Sequence, residues 1–469
     1  MRRRDFLAGG LGLATLPLVH PTEAAAALPD PEFPPDFTWG ASTSAYQIEG
    51  AVAEDGRAPS IWDTFSHQPG RIITGENGDV ACDHYHRYAE DVGLLAQGGF
   101  KAYRFSVSWP RILPQGKGAI NRRGLDFYDR LVDALLAKGV TPWICLYHWD
   151  LPQALQDLGG WTNRAITDWY ADYARIVAHR LGDRVQHWAM FNEPNVHAIF
   201  GHAIGSHAPG LTGWDNYLAA QHHQNLAQGK GIAALRSERA SWQLGTVISL
   251  QPVRAATTRP ADEEAARRFD AVWNRANLDP LLLGQYPGDL AKAFAPLIKE
   301  DDLAVIQQPV DFLGLNYYSR AHVVDDPNSV LDRANFGPLS TGMETTAMGW
   351  PVEPDGLLEI LTDLKNHYGN PPVYVMENGA CYIDPKPRNG LVDDPQRISF
   401  LHRHLLAAQQ AVAQGCRLKG FFAWSLLDNF EWAEGTRRRF GLVYVDFATL
   451  QRVPKASYHW LSQVIASNA

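Results

Sequence analysis

The chain has 469 residues, of which 45% are hydrophobic, 20% charged and 11% aromatic. That balance supplies a large core and rules out collagen, coiled coil and intrinsic disorder. The net charge of −9, with Lys and Arg scattered after the first few residues, argues against a nucleic-acid partner. Four cysteines (Cys82, Cys145, Cys381, Cys416) form neither a disulfide framework nor a C-x-x-C zinc pair.

Residues 1–28 read as an export signal. Met1–Arg4 is basic, Phe6–Val19 is an apolar stretch diluted by Gly and Ala, and Thr22–Ala27 offers the small residues that a signal peptidase accepts. Arg3-Arg4-Asp5-Phe6-Leu7 resembles the twin-arginine signal, which implies export of a folded protein to the periplasm. The alternative is an uncleaved anchor, but the apolar stretch falls short of the ~20 residues a spanning helix needs. No later segment is apolar enough to span, so no membrane partner is expected.

Residues 29–469 show no linker, charge run or low-complexity tract, and read as one domain. The strand candidates are Phe37–Ala41, Ala102–Val107, Thr141–Tyr147, Gln186–Asn192, Gln243–Ser249, Phe312–Tyr317, Val373–Met376 and Leu418–Trp424. Between them lie helix candidates at Tyr85–Gln97, Arg122–Lys138, Thr162–Leu181, Trp214–Arg236, Glu263–Leu283, Pro354–Tyr368 and Gln396–Gln414. Asn121 and Thr162 stand where N-caps belong, and Gly98, Gly139 and Gly369 just past helix ends. Eight strands alternating with helices predict a single-domain α/β fold, a (β/α)8 TIM barrel with long βα loops. A doubly wound open sheet is the alternative. It would want a Gly-rich phosphate turn after the first strand, and Ala41-Ser42-Thr43-Ser44 is not one.

The strand ends carry the chemistry. They supply Arg104, His148-Trp149, Asn192-Glu193, Asn316-Tyr317-Tyr318, Glu377-Asn378 and Trp424, and in a barrel such ends converge on one mouth. Two carboxylates, Glu193 and Glu377, end the fourth and seventh strands. Such a pair suits glycoside hydrolysis, with one group attacking the anomeric carbon and the other moving protons. The His84/His86, His222/His223 and His402/His404 pairs lack a carboxylate or Cys set to complete a metal site, so no metal and no cofactor are expected.

Seven segments in chain order resemble glycoside hydrolase family 1, over about Phe33–Ile465. They are Phe33–Gly50, Tyr103–Arg111 (YRFSVSWPR), Leu146–Pro152 (LYHWDLP), Asn192-Glu193-Pro194, Gly314–Ser319 (GLNYYS), Glu377-Asn378-Gly379 and Trp424–Gly435 (WSLLDNFEWAEG). The resemblance implies a retaining, exo-acting β-glucosidase that takes β-glucosides or cello-oligosaccharides. It makes Glu193 the acid/base and Glu377 the nucleophile. It carries substrate binding to Gln47, His148, Asn192, Tyr318, Trp424, Glu431 and Trp432, support of Glu377 to Arg104, an aglycone-side place to Phe440, and a cis peptide to Trp424–Ser425. Asn316 is expected in support at its strand end. Met190 and Met376 stand where the family usually has Thr. Their odd spacing from the glutamates predicts that both face the helical layer. Three other readings stay open: an enzyme for 6-phosphoglycosides, against which Glu431-Trp432 argues, a sugar-binding protein on a retired enzyme, and a transglycosidase.

Overall fold

The computed structural model describes residues 31–468; the expected export signal lies outside them. Eight parallel strands follow one another around a closed barrel. They are β1 (Thr38–Ser42), β2 (Ala102–Ser106), β3 (Thr141–Tyr147), β4 (His187–Asn192), β5 (Gln243–Ser249), β6 (Phe312–Asn316), β7 (Val373–Asn378) and β8 (Leu418–Trp424). β1 pairs in parallel with both β2 and β8, which closes the (β/α)8 ring. One principal helix follows each strand: α1 (His84–Gln97), α2 (Arg122–Ala137), α3 (Ile166–Leu181), α4 (Trp214–Glu238), α5 (Pro260–Asp270), α6 (Asp355–His367), α7 (Pro395–Ala413) and α8 (Ala456–Ser467).

Strands buried on both faces read as near-continuous apolar runs, which is why their positions were legible. Ile144, Leu313, Leu315, Val375 and Phe421 join the layer beneath the helices. Ala102, Trp143, Cys145, Ala189, Val247, Phe312, Met376 and Phe422 fill the barrel centre, where the Trp143 indole meets Phe312 and Phe422 nearly edge-on at 5.3 and 5.4 Å. This plug floors the site. The four cysteines are free and buried, and burial pushes each thiol up, away from reactive thiolate.

Several local expectations are corrected. Thr162 does not cap α3: its hydroxyl donates to the Gly159 carbonyl in a preceding tight turn, Asn163 Oδ1 takes the Ala165 amide, and the helix starts at Ile166. Asn121 does precede α2, but its amide donates to the Asp55 and Arg111 carbonyls instead of capping. The expected helix Glu263–Leu283 begins earlier, with Pro260 in its first turn, and loses regular winding after Asp270. α8 was not foreseen. Met190 does face the helices, its sulfur lying 3.1 Å from where a side chain on Gly231 of α4 would begin. Met376 does not. Pairing of β7 with both neighbours slips between Val375 and Glu377–Asn378, so one extra residue bulges and Met376 turns into the barrel plug. Among the described residues no helix is long and apolar enough to cross a membrane.

Candidate active site

At the C-terminal mouth of the barrel lies a cavity of about 500 Å³, lined in its inner part by His148, Glu193, Tyr318, Glu377, Trp424, Glu431 and Trp432. Gln47, Arg104, Asn192 and Asn316 are fully buried and bond directly to those lining groups. The structure therefore gathers every residue given a catalytic, binding or supporting role, whereas Tyr317, also at a strand end, turns toward the helices, its hydroxyl donating to the Glu353 carbonyl (2.6 Å) beside the His404 ring. A larger groove of about 1020 Å³ between α5 and α6, on the outside of the barrel, contains none of them.

Backbone irregularities aim the two carboxylates. The bulge in β7 brings Glu377 into the cavity, and the strand end is tied by Tyr317 N to the Glu377 carbonyl (3.0 Å) and Asn378 Nδ2 to the Tyr317 carbonyl (2.7 Å). Gly379 is required next, because a Cβ there would sit 1.8 Å from the Trp424 carbonyl oxygen. Glu193 has φ of 47°, a left-handed conformation that costs a non-glycine residue about 1–3 kcal/mol and persists where the surroundings enforce it. Its amide donates to the Val247 carbonyl of β5 (2.8 Å), and Pro194 starts a new helical turn directly after it.

The surroundings of the two glutamates differ. Glu377 (3% exposed) accepts from Arg104 Nη1 at one oxygen and from the Tyr318 hydroxyl at the other, each at 2.7 Å. Burial raises its pKa, and the guanidinium and hydroxyl oppose that rise by stabilising the anion. Glu193 (6% exposed) has no cation in contact and accepts from Asn316 Nδ2 at 2.9 Å. Burial first, then the negative charge of Glu377, pushes it up to about 8. A single proton shared by the pair therefore sits on Glu193, with Glu377 ionised.

Hydrogen bonds fix the polar groups around them. Asn192 Oδ1 accepts from Arg104 Nη2 (2.5 Å) and Asn316 Nδ2 (3.0 Å), so its amide N–H side points away from them and donates to His148 Nε2 at 3.0 Å. Burial, helped by Arg104, lowers the His148 pKa well below the usual range, so the ring is neutral, with its proton on Nδ1. Gln47 is oriented by Ser44 Oγ donating to its Oε1 (2.6 Å). Its Nε2 donates to Asn429 Oδ1 (3.0 Å) and Glu431 Oε2 (3.3 Å). Burial and the two catalytic-pair carboxylates raise the Glu431 pKa strongly. Ser44 and Asn429 were missed as functional, although both stand inside recognised segments.

The loop after β8 carries the aromatic floor and is braced from below and above. The Trp424–Ser425 peptide is cis, as the resemblance implied. Asp428, fully buried, accepts from Lys455 Nζ (2.7 Å), Arg439 Nη1 (2.6 Å) and Gly441 N (3.0 Å). Glu76 reaches over from the β1–α1 connection to accept from Thr436 N (2.7 Å), and Ile73 N bonds the Ala433 carbonyl (2.8 Å). Gly435, at φ of 64°, passes so close that a Cβ would lie 2.0 Å from Thr74 Oγ1. Held this way, Trp432 packs against Trp62 (4.5 Å) and Trp149 (4.8 Å), and Trp424 stacks on His148 (5.8 Å). Phe440 lies beside Tyr318 and Trp350 on the cavity wall.

The arrangement is a deep apolar-floored pocket with dense, preset hydrogen-bonding groups and two carboxylates in unequal surroundings. The profile for glycosyl hydrolase family 1 matches residues 30–469. Beta-glucosidase A of Acetivibrio thermocellus is 45% identical over 444 residues, covering 93% of this chain and 98% of that protein. A 1,4-beta-D-glucan glucohydrolase of Thermotoga neapolitana is 46% identical, covering 93% and 99%. The solved structure of a beta-glucosidase from Thermotoga maritima in complex with deoxynojirimycin superposes with a TM-score of 0.88 at 44% identity, covering 94% of this chain and 99% of that one. The chain belongs to glycosyl hydrolase family 1.

Proposed function

We propose that the protein is an exo-acting β-glucosidase that removes terminal, non-reducing β-D-glucosyl residues from β-glucosides, cello-oligosaccharides among them, with retention. The observation that carries this reading is the paired but unequal environment of the glutamates: Glu377 held ionised by Arg104 and Tyr318, Glu193 kept protonated by burial and by Glu377. Ionised Glu377 attacks the anomeric carbon as the bond from that carbon to the leaving oxygen breaks, and Glu193 gives its proton to that oxygen. A glycosyl ester on Glu377 results. It removes the negative charge that raised Glu193, so Glu193, now ionised, takes a proton from water as the water attacks the same carbon and frees Glu377. Gln47, His148, Asn192, Glu431 and Trp432 bind the glucosyl hydroxyls, and the Trp424 indole packs on the sugar's C–H face. The naming of the relatives as beta-glucosidases supports glucose as the sugar.

Hydrolysis of an aryl β-glucoside followed by proton NMR tests it. The first-formed sugar should be β-glucose, with the α anomer appearing only as mutarotation proceeds. First-formed α-glucose would assign an inverting mechanism, and no release of glucose would remove the β-glucosidase reading.

The basic, apolar and small-residue order of residues 1–28 supports export of the folded enzyme through the twin-arginine route to the periplasm, with 29–469 as the catalytic domain. Replacing Arg3 and Arg4 by Lys should leave an active precursor of unreduced length in the cytoplasm. Fractionation that finds the double variant in the periplasm in normal amount rejects that route.

A further inference from the structure

Of the two carboxylates, only Glu193 stands on a left-handed backbone. Pairing of β4 with β5 slips between Ala189 and Asn192, so the ladder is irregular where it reaches Glu193. The Glu193 amide still bonds the Val247 carbonyl (2.8 Å). One step further along both strands, a side chain takes over from the ladder. Asn195, in the short helix Pro194–Ala198, donates from Nδ2 to the Ser249 carbonyl at 2.8 Å. The same nitrogen donates its other hydrogen to the Trp273 carbonyl, also at 2.8 Å, in the widened turn Ala271–Arg275.

Both carbonyls belong to one fixed frame. Ser249 ends β5 and pairs with Asn316 of β6, whose side chain holds the Glu193 carboxyl. The turn is locked to the chain just past β5, because Asn274 accepts from Gln251 N (3.1 Å) and donates to the Gln251 carbonyl (2.8 Å). Asn195 therefore ties the backbone after Glu193 to the same strands that grip its carboxyl group. The arrangement carries a cost. Asn195 is wholly buried and its Oδ1 has no partner, a desolvation penalty that a leucine of similar volume would avoid. Turning the amide over would set that oxygen against two carbonyl oxygens, so the orientation is fixed. Strain at Glu193 and a half-paired amide two residues later are both unfavourable to the fold alone, and such costs gather where geometry serves chemistry.

We infer that Asn195 is a positioning residue for the acid/base: by clamping the turn after Glu193 to β5 and to the Ala271–Arg275 turn, it keeps the carboxyl group within proton-transfer reach of the leaving oxygen. The inference rests on the β-glucosidase reading and on Glu193 as its acid. It is tested by comparing methyl β-glucoside, which needs the acid, with dinitrophenyl β-glucoside, which needs little. Asn195→Leu should lower kcat/KM for the methyl compound ~10- to 100-fold, the scale of a small misplacement of a catalytic group. For the dinitrophenyl compound kcat/KM should stay near the parent value. Its kcat and KM should fall together, because the displaced base leaves the ester on Glu377 to accumulate. The ratio of the two substrates is read within one preparation, so it does not depend on how much of the variant is active. If both kcat/KM values fall by the same factor, or neither changes, Asn195 serves packing alone and the inference is overturned. Should Asn195→Leu not fold, Asn195→Ser, which leaves room for water on both carbonyls, is held to the same split at ~3- to 10-fold. Insolubility of both variants assigns the amide to folding and equally overturns it. A parent inert toward both glucosides strikes the β-glucosidase reading and the inference with it, whereas an active parent with an unchanged ratio in the variants strikes the inference alone.

Discussion

Glu377→Ala should lower hydrolysis of aryl β-glucosides by ~10⁴- to 10⁶-fold, the scale seen when the nucleophile of a concerted site is removed. Arg104 and Tyr318 remain in the variant, and both now face an empty volume in which their donors lack the anion they were set to bind. A small anion should fill it. With azide and an activated substrate such as dinitrophenyl β-glucoside, attack comes from the side Glu377 occupied and occurs once, so the product is the α-glucosyl azide. Product NMR decides the point. A Glu377→Ala enzyme that keeps normal hydrolysis, or that yields the β-azide, would show that the nucleophile is elsewhere. Because Arg104 also bonds Asn192, the variant retains the hydrogen bonds that orient Asn192 and His148, so the loss reads chemistry and not collapse of the pocket.

Much of this site was legible in the sequence because strands of a closed barrel are buried on both faces, and their first polar residues mark the mouth. His148, Asn192, Glu193, Asn316 and Glu377 announced themselves as the polar ends of apolar runs, and Arg104 as the one charge within such a run. What stayed hidden depends on backbone departures from regular geometry. Alternation placed Met376 under the helices, and a one-residue bulge reversed it, since period-two reasoning holds only while the ladder keeps its register. The same bulge aims Glu377. A Thr before a helical pattern looks like a cap, but Thr162 found a nearer carbonyl at Gly159 and left Asn163 to begin the turn.

Long-range partners were hidden for a different reason. Nothing in the local sequence ties Glu76 to Thr436, or Lys455 to Asp428, and these contacts hold the Glu431–Trp432 turn in place. Trp273 and Phe336, which also line the cavity, were hidden too. Each residue comes from a segment whose regular pattern fails, a widened helical turn and a short hairpin off the barrel. His148 and Asn192 stand at strand ends and could be named from the pattern, whereas Gln47, Glu431 and Trp432 lie off the strands and were named only through the resemblance.

Glu193→Ala should separate the two half-reactions. Glu193 is kept protonated by burial and by the nearby charge of Glu377, which pushes its pKa to about 8. The active ionic form has Glu193 protonated and Glu377 ionised, so in the parent kcat/KM should rise as pH climbs through the apparent pKa of Glu377. It should fall again as pH passes the apparent pKa of Glu193, both being properties of the pair. Removing Glu193 should abolish the alkaline limb for a dinitrophenyl glucoside, whose departure needs little acid. For a poor leaving group such as methyl β-glucoside, the variant should lose ~10²- to 10⁴-fold, the usual worth of a positioned acid. The dinitrophenyl substrate should instead give a fast burst and then stall at the ester on Glu377, because water has lost its base. Azide needs no base, fits the space left by the carboxyl, and attacks from the face the aglycone left. Two inversions then yield the β-glucosyl azide, the opposite anomer from that of Glu377→Ala. An α-azide from Glu193→Ala, or an alkaline limb that survives the substitution, would assign the acid role to another residue.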